Sequence, residues 1–178
     1  MRYADVSRVV SHALRHQPWL YELELDDAGW VPVAALLVAL RTERPAWARL
    51  SEADLAHMMA EASKQRFELS GGRIRALYGH STPHRLAKEA APPPAILFHG
   101  TAPGTVAVIR TDGLRPMGRQ YVHLSADAVT AEQVGRRKAT GPVILRIRAG
   151  AAHGNGVRFY RGNDLVWLAD AVAPEFIE

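Results

Sequence analysis

The sequence predicts an α+β fold in two lobes, the first helical and closed by a β-hairpin, the second rich in short strands. Three observations predict it. Apolar residues recur at helical spacing near the N-terminus, where Val6, Val9, Val10, Ala13 and Leu14 form one stripe. Beyond Ala95 the pattern changes to short apolar runs of strand length. Between them stands Ala90-Ala91-Pro92-Pro93-Pro94-Ala95, whose successive prolines lack backbone donors and favour an extended geometry that continues neither a helix nor a central strand. The expected organisation is a lobe over residues 1–89, a linker over 90–95 and a second lobe over 96–178. A hydrophobic share of 48% over 178 residues suffices for one sizeable core or two small ones.

The first helix ends in Arg15-His16-Gln17, because Pro18 stops it. Ala35 to Leu40 reads as a short buried helix. Ser51 followed by Asp54 resembles a capping box ahead of Leu55, Met58, Met59 and Ala62, which gives a third helix. Phe67 and Leu69 alternate with Glu68, Ser70-Gly71-Gly72 supplies a turn, and Arg73 to Leu77 alternates again, the pattern of a hairpin. Three helices and a hairpin describe a winged helix, a fold that often contacts nucleic acid. In the second lobe the expected strands are Ala95 to Phe98, Tyr121 to Leu124, Val143 to Ile147 and Val166 to Leu168, with helices near Val106 to Thr111 and Ala128 to Arg137.

Composition narrows the chemistry. With no cysteine there is no disulfide framework, thiolate zinc site or cysteine nucleophile, which leaves His, Arg, carboxylates or a bound cofactor. No apolar run is long enough to span a membrane, and MRYADVSRVV lacks a secretory pattern, so a cytoplasmic protein without membrane partner is expected. The net charge of +4 suits an anionic partner. Lys64, Arg66, Arg73 and Arg75 cluster against the single acid Glu68.

Leu14-Arg15-His16-Gln17-Pro18 places a guanidinium and an imidazole at a helix end. The plain reading is a cap that complements the helix dipole; the functional one is phosphate recognition, for which Arg offers bidentate donors. Asp26-Asp27-Ala28-Gly29-Trp30 reads as a turn followed by a buried Trp30 anchor rather than a metal site. His80 and His84 share the spacing of a zinc helix, but Pro83 intervenes and no Glu follows His80, so no metal is expected. His99-Gly100-Thr101 follows a strand, and Gly100 would admit a ligand close to the backbone. His123 and Ser125 lie on a second strand of the same lobe. No G-x-G-x-x-G or Walker loop is present, so a nucleotide would be held some other way. Arg136, Arg137 and Lys138 read as a solvated helix end without a role.

Taken in order, SHALRHQP (11–18), LDDAGWV (25–31), KQRFEL (64–69), IRALYGHS (74–81), His99-Gly100-Thr101, GLRPM (113–117), Arg119 to Ser125 and Phe159 to Leu168 resemble the RNA 2′-phosphotransferases over nearly the whole chain. Members of that family act on the 2′-phosphate left at a splice junction by some tRNA ligases. The resemblance implies a winged-helix RNA lobe joined to an ADP-ribosyltransferase-like NAD lobe. It carries the family's catalytic positions onto Arg15, His16, Arg66 and Arg119, and its NAD-binding strands onto His99, Gly100, Thr101, His123 and Ser125. Tyr121 stands where members commonly show His, Leu77 and Tyr78 replace the usual Asn-Gln, and Gly162 and Asp164 replace the usual Ser and Asn.

The activity so implied consumes NAD as co-substrate and needs no metal. An RNA carrying an internal 2′-phosphate attacks C1″ of the nicotinamide riboside and expels nicotinamide. The 2″-hydroxyl of the resulting 2′-phospho-ADP-ribosylated RNA then attacks phosphorus, releasing 2′-hydroxyl RNA and ADP-ribose 1″,2″-cyclic phosphate. No protein partner is implied. Two other functions fit the same residues: an ADP-ribosyltransferase acting on terminal nucleic-acid phosphates, and a non-enzymatic winged-helix nucleic-acid-binding module.

Overall fold

The computed structural model describes residues 2–178 and divides into two compact units, Met1–Ala87 and Lys88–Glu178. Both are mixed α/β, and each holds one antiparallel sheet. Among the described residues no helix is long and apolar enough to cross a membrane.

The first unit runs α1 (Tyr3–Arg15), a 3-10 turn (Pro18–Tyr21), β1 (Trp30–Pro32), α2 (Val33–Glu43), a 3-10 turn (Pro45–Trp47), α3 (Glu52–Ala60), β2 (Phe67–Ser70) and β3 (Arg73–Ala76). The predicted α1 stripe is its buried face, and it packs with Leu36, Leu40, Leu55 and Ile74 into one core. α3 begins at the expected capping box: Asp54 N–H donates to Ser51 Oγ at 3.3 Å and Ser51 N–H to Asp54 Oδ2 at 2.9 Å. The sheet order is β1-β3-β2, with Glu68 and Trp30 both opposite Arg75. The β2–β3 turn has two residues, Gly71 and Gly72, with φ of 55° and 71°, a left-handed pair that suits a tight hairpin.

Two local expectations change. The three-residue β1 was not foreseen, because so short a run carries no alternation. Trp30 is also no buried anchor: Val31 fills the core, while Trp30 is half-buried on the outer face beneath the Arg75 guanidinium, 4.5 Å from its ring centre. The basic run is largely spent here, with Arg73 on Asp26 and Arg75 on Glu68, each at 2.7 Å.

The second unit runs β4 (Leu97–Thr101), a 3-10 turn (Pro103–Thr105), α4 (Val106–Asp112), β5 (Val122–Ser125), α5 (Ala128–Gly135), β6 (Val143–Ile147), α6 (Ala149–Gly154), β7 (Phe159–Arg161), β8 (Val166–Ala169) and a 3-10 turn (Pro174–Phe176). Its sheet order is β6-β4-β5-β8-β7. Residues 90–95 belong to this unit, where Ala90 bridges Tyr160 and the Ala95 carbonyl accepts from Gly150 N–H. The core gathers Leu97, Leu145, Ile147, Phe159 and Trp167.

β4 is central, and its Gly100 has a packing role that its sequence does not reveal. A Cβ on Gly100 would stand 1.9 Å from the Ala131 carbonyl oxygen and 2.9 Å from Gly135 N. The glycine therefore lets the α5 backbone lie directly on the sheet, and Gly135 on α5 faces it in return, with its own Cβ position 3.2 Å from Gly100 Cα. Gly100→Ala is expected to destabilise the protein by at least the roughly 1–3 kcal/mol of an overpacked core, read as a lower urea midpoint. A variant as stable as the parent chain contradicts this packing.

Candidate active site

In the first unit the end of α1 is tied to the segment after β3. Ser81 N–H donates to the Arg15 carbonyl at 2.8 Å, and Ser81 Oγ meets His16 Nδ1 at 2.8 Å. The helix cannot continue past His16, whose backbone has left the helical region and which Pro18 follows two residues on. Arg15 and His16 are thus held on a terminus braced from both sides.

The Arg15 side chain turns toward the root of β2. Its guanidinium lies 5.1 Å from the Tyr78 ring centre and 5.5 Å from that of Phe67, and Nη2 donates to the Arg66 carbonyl at 3.4 Å. The same carbonyl accepts from Leu77 N–H at 3.0 Å, which locks residue 66 to the far end of the hairpin. Arg15 and His16 are therefore brought together within one unit with the backbone of Arg66, distant in sequence from both. Tyr78 and Ser81 were not among the predicted site residues. Tyr78 even looked like a departure from pattern, and only the fold reveals it as a π face under a guanidinium.

In the second unit β4 and β5 share a single ladder pair, Phe98 opposite Ser125, whereas β4 and β6 pair over five residues. Where that ladder stops, side chains take over. His99 Nδ1 meets the His123 carbonyl at 3.0 Å, and His123 Nδ1 meets the Tyr121 carbonyl at 3.0 Å. A carbonyl only accepts, so both rings carry their proton on Nδ1, and His99 Nε2 keeps an acceptor lone pair. Burial lowers the His99 pKa, the His123 carbonyl opposes that shift, and the charges of Lys138 and Arg119 reinforce it. The imidazole is therefore neutral at pH 7.

Gly100, Thr101 and Ser125 are buried, while His99 and His123 are half-exposed. Thr105 Oγ1 donates to the Ala102 carbonyl at 2.8 Å, so Thr101 Oγ1 donates in turn to Thr105 Oγ1 at 2.7 Å and is committed to the strand end. Of the five, the two histidines are the more exposed. Tyr121 is buried edge-on against Tyr160, 5.0 Å between centroids. Tyr160 is itself pushed up to about 12 by burial and by its bond to Asp170.

Arg119 follows the GLRPM segment, which Leu114 pins by a reciprocal pair of bonds to Val172 at 2.8 and 2.9 Å. Although Arg119 stays open to solvent, partial desolvation and the Arg137 charge lower its pKa, and desolvation and Arg119 likewise lower that of Lys138. The exposed cations Arg119, Arg137 and Lys138 thus place positive charge around the neutral His99. The basic trio is a solvated end, as its pattern suggests, with Arg136 on Glu132 at 2.7 Å, and the charges of Arg137 and Lys138 also bear on Arg119 and His99. The sequence signal was the trio itself, and nothing in its spacing tells which cation bears on which neighbour. Among the described residues no group of three or more His, Asp or Glu is placed to hold a metal.

The family model described as RNA 2'-phosphotransferase, Tpt1 / KptA family, matches residues 1–171. The chain belongs to this family. Among curated relatives of this phosphotransferase, a protein of Acetivibrio thermocellus is 51% identical over 175 residues, covering 98% of this chain and 96% of its own length. One from Bacillus thuringiensis subsp. konkukian is 50% identical over 175 residues, with 98% and 94% covered, and one from Streptomyces griseus is 43% identical over 185 residues, with 99% and 96% covered. Each is named "Probable RNA 2'-phosphotransferase".

Two measurements test the geometry. If Tyr78 fixes Arg15, Tyr78→Ala is expected to lower the phosphotransferase rate by the equivalent of about 0.5–2 kcal/mol while Tyr78→Phe retains it; equal rates in all three contradict the stacking role. Because the folded His99 pKa lies below the ordinary 6.5, the unfolded chain binds more protons beneath that pH. This contribution is present above pH 6.5 and is lost as pH falls toward the folded value. His99→Gln is expected to flatten that part of the thermal-stability profile, and identical profiles contradict the assignment.

Proposed function

We propose that this family member is an NAD-dependent RNA 2′-phosphotransferase, acting in the cytoplasm on RNA with an internal 2′-phosphate. In this reading the first unit is a winged-helix RNA lobe and the second an ADP-ribosyltransferase-like lobe that takes NAD as co-substrate. The observation that carries it is the grouping of Arg15, His16 and Arg66 in the first unit, where the end of α1 is fixed against Ser81 and the root of the hairpin. Planar guanidinium donors beside an imidazole suit a phosphate, and around Arg119 the charges of Arg137 and Lys138 suit an anion as well.

The residues suit both substrates. The neutral His99 offers an acceptor that a ribose hydroxyl can fill, His123 lies on the adjoining strand, and Arg137 and Lys138 attract a pyrophosphate. NAD supplies the acceptor ribose and a leaving group that departs neutral, so the first step asks the protein chiefly to position an anionic nucleophile. Each unit offers guanidinium donors to phosphate oxygens, on which charge builds in the second step: Arg15 and Arg66 in the first, Arg119 in the second. His16, its ring oriented by Ser81, contacts the phosphate bound by the first unit or gives a proton to the departing RNA 2′-oxygen.

The decisive assay incubates the protein with an RNA oligonucleotide carrying one internal 2′-phosphate, with and without NAD, and resolves the products by chromatography and mass. NAD-dependent 2′-hydroxyl RNA, nicotinamide and ADP-ribose cyclic phosphate are expected. Accumulating ADP-ribosylated RNA would instead favour transfer to nucleic-acid phosphates, and RNA binding without nicotinamide release a binding module. Arg119→Ala is expected to slow phosphate removal by about 10²–10³, the equivalent of roughly 2.7–4 kcal/mol, in a protein that still folds. Turnover at the parent rate in that folded variant rejects the role.

A further inference from the structure

Trp19 is 54% exposed and its neighbour Leu20 62%, a large apolar pair on the surface of the unit that holds Arg15 and His16. The pair is not on a loose loop. Leu20 N–H donates to the Gln17 carbonyl at 3.1 Å, Glu22 N–H to Trp19 at 3.3 Å and Leu23 N–H to Pro18 at 3.1 Å, so the indole stands on a fully bonded 3-10 turn. Beside it runs an open groove of about 270 Å³, lined by Pro18, Trp19 and Leu25 and by Thr82, Pro83 and His84.

Both segments spring from the His16–Ser81 pair. Pro18 and Trp19 follow His16 by two and three residues, and Thr82 to His84 follow Ser81 directly. The two segments that line the groove therefore leave the point where the His16 imidazole is anchored. We propose that this groove is a nucleobase slot, which takes a base flanking the 2′-phosphorylated nucleotide and stacks it on Trp19. The inference rests on the reading of His16 as a phosphate-site residue. An RNA held by its phosphate at His16 leaves that point as a chain, and its next base must lie within one nucleotide. An indole face in one lining with an imidazole and with the Thr82 hydroxyl, whose proton goes to the His84 carbonyl at 3.3 Å and whose oxygen can accept, matches a base, which has a π face and a polar edge. The groove is smaller than a typical drug-sized pocket and suits one ring system. The neighbouring Asp27, 3.4 Å from His84, places a carboxylate at the rim, which disfavours a phosphate there and favours a base edge that donates hydrogen bonds.

The test uses the full chain with saturating NAD and three RNA oligonucleotides: one with a single internal 2′-phosphate, and two in which the nucleotide on its 5′ or its 3′ side is abasic. On the intact RNA, Trp19→Ala is expected to raise KM about tenfold with kcat little changed, and Trp19→Phe to restore it. Removing one of the two flanking bases is expected to raise KM of the parent protein to a similar degree, and Trp19→Ala to add nothing on that RNA. A KM unmoved by Trp19→Ala, or a loss equally large on both abasic RNAs, overturns the slot. Because Trp19 is exposed, its variants should fold, and the abasic RNAs need no variant at all. Binding of the same RNAs without NAD, followed by fluorescence anisotropy, judges the slot independently. If the parent protein releases no nicotinamide but its affinity still falls with one flanking base and with Trp19→Ala, the slot stands and the catalytic reading fails.

Discussion

The backbone of α5 lies directly on β4 at the point where Gly100 has no side chain, and much of the second unit is arranged by that contact. It brings the end of α5 close above the central strand, so the cations that follow, Arg137 and Lys138, act on His99 and Arg119. A methyl group at position 100 would collide with the helix backbone, which has no rotamer with which to yield. A residue that reads from its motif as a place for a ligand is thus also the seat of a helix, and the exposed ring of the motif stands one residue away, at His99.

The first unit solves a similar problem with hydrogen bonds. A helix terminus frays unless its last groups are satisfied, and here Ser81 binds both the Arg15 carbonyl and the His16 ring. The hairpin contributes Phe67, the Arg66 carbonyl and, just beyond its second strand, Tyr78, which together fix the direction of the Arg15 guanidinium. Arg15 is therefore preorganised by elements that are remote in sequence. A long cationic side chain loses considerable rotamer entropy on ordering, and here the fold itself bears that cost.

Much of this was legible in the sequence. The apolar stripe of α1, the Ser51–Asp54 cap, the Gly71-Gly72 turn and the strand Val143–Ile147 follow from periodicity and turn chemistry, which are local properties. The elements that escaped, β1, α6 and β7, span three, six and three residues respectively, too few for a period to register. In the same way, Trp30 reads as a core residue from its hydrophobicity alone, yet it covers the outer face because Val31, next in the strand, points inward.

By itself the sequence determined the α+β class, the helix stop at Arg15-His16, the absence of thiol chemistry and, through its ordered motifs, membership of the RNA 2′-phosphotransferase family. These depend on residue type and short-range spacing. Only the tertiary structure decided that Tyr78 lies under Arg15, that Gly100 supports α5, that the β4–β5 ladder ends after one pair, and that Arg137 and Lys138, but not Arg136, bear on the Arg119 site. The physical reason is common to all four: each is a contact between segments separated along the chain, fixed by packing and strand register, and local pattern carries no information about which distant side chain will fill the space opposite.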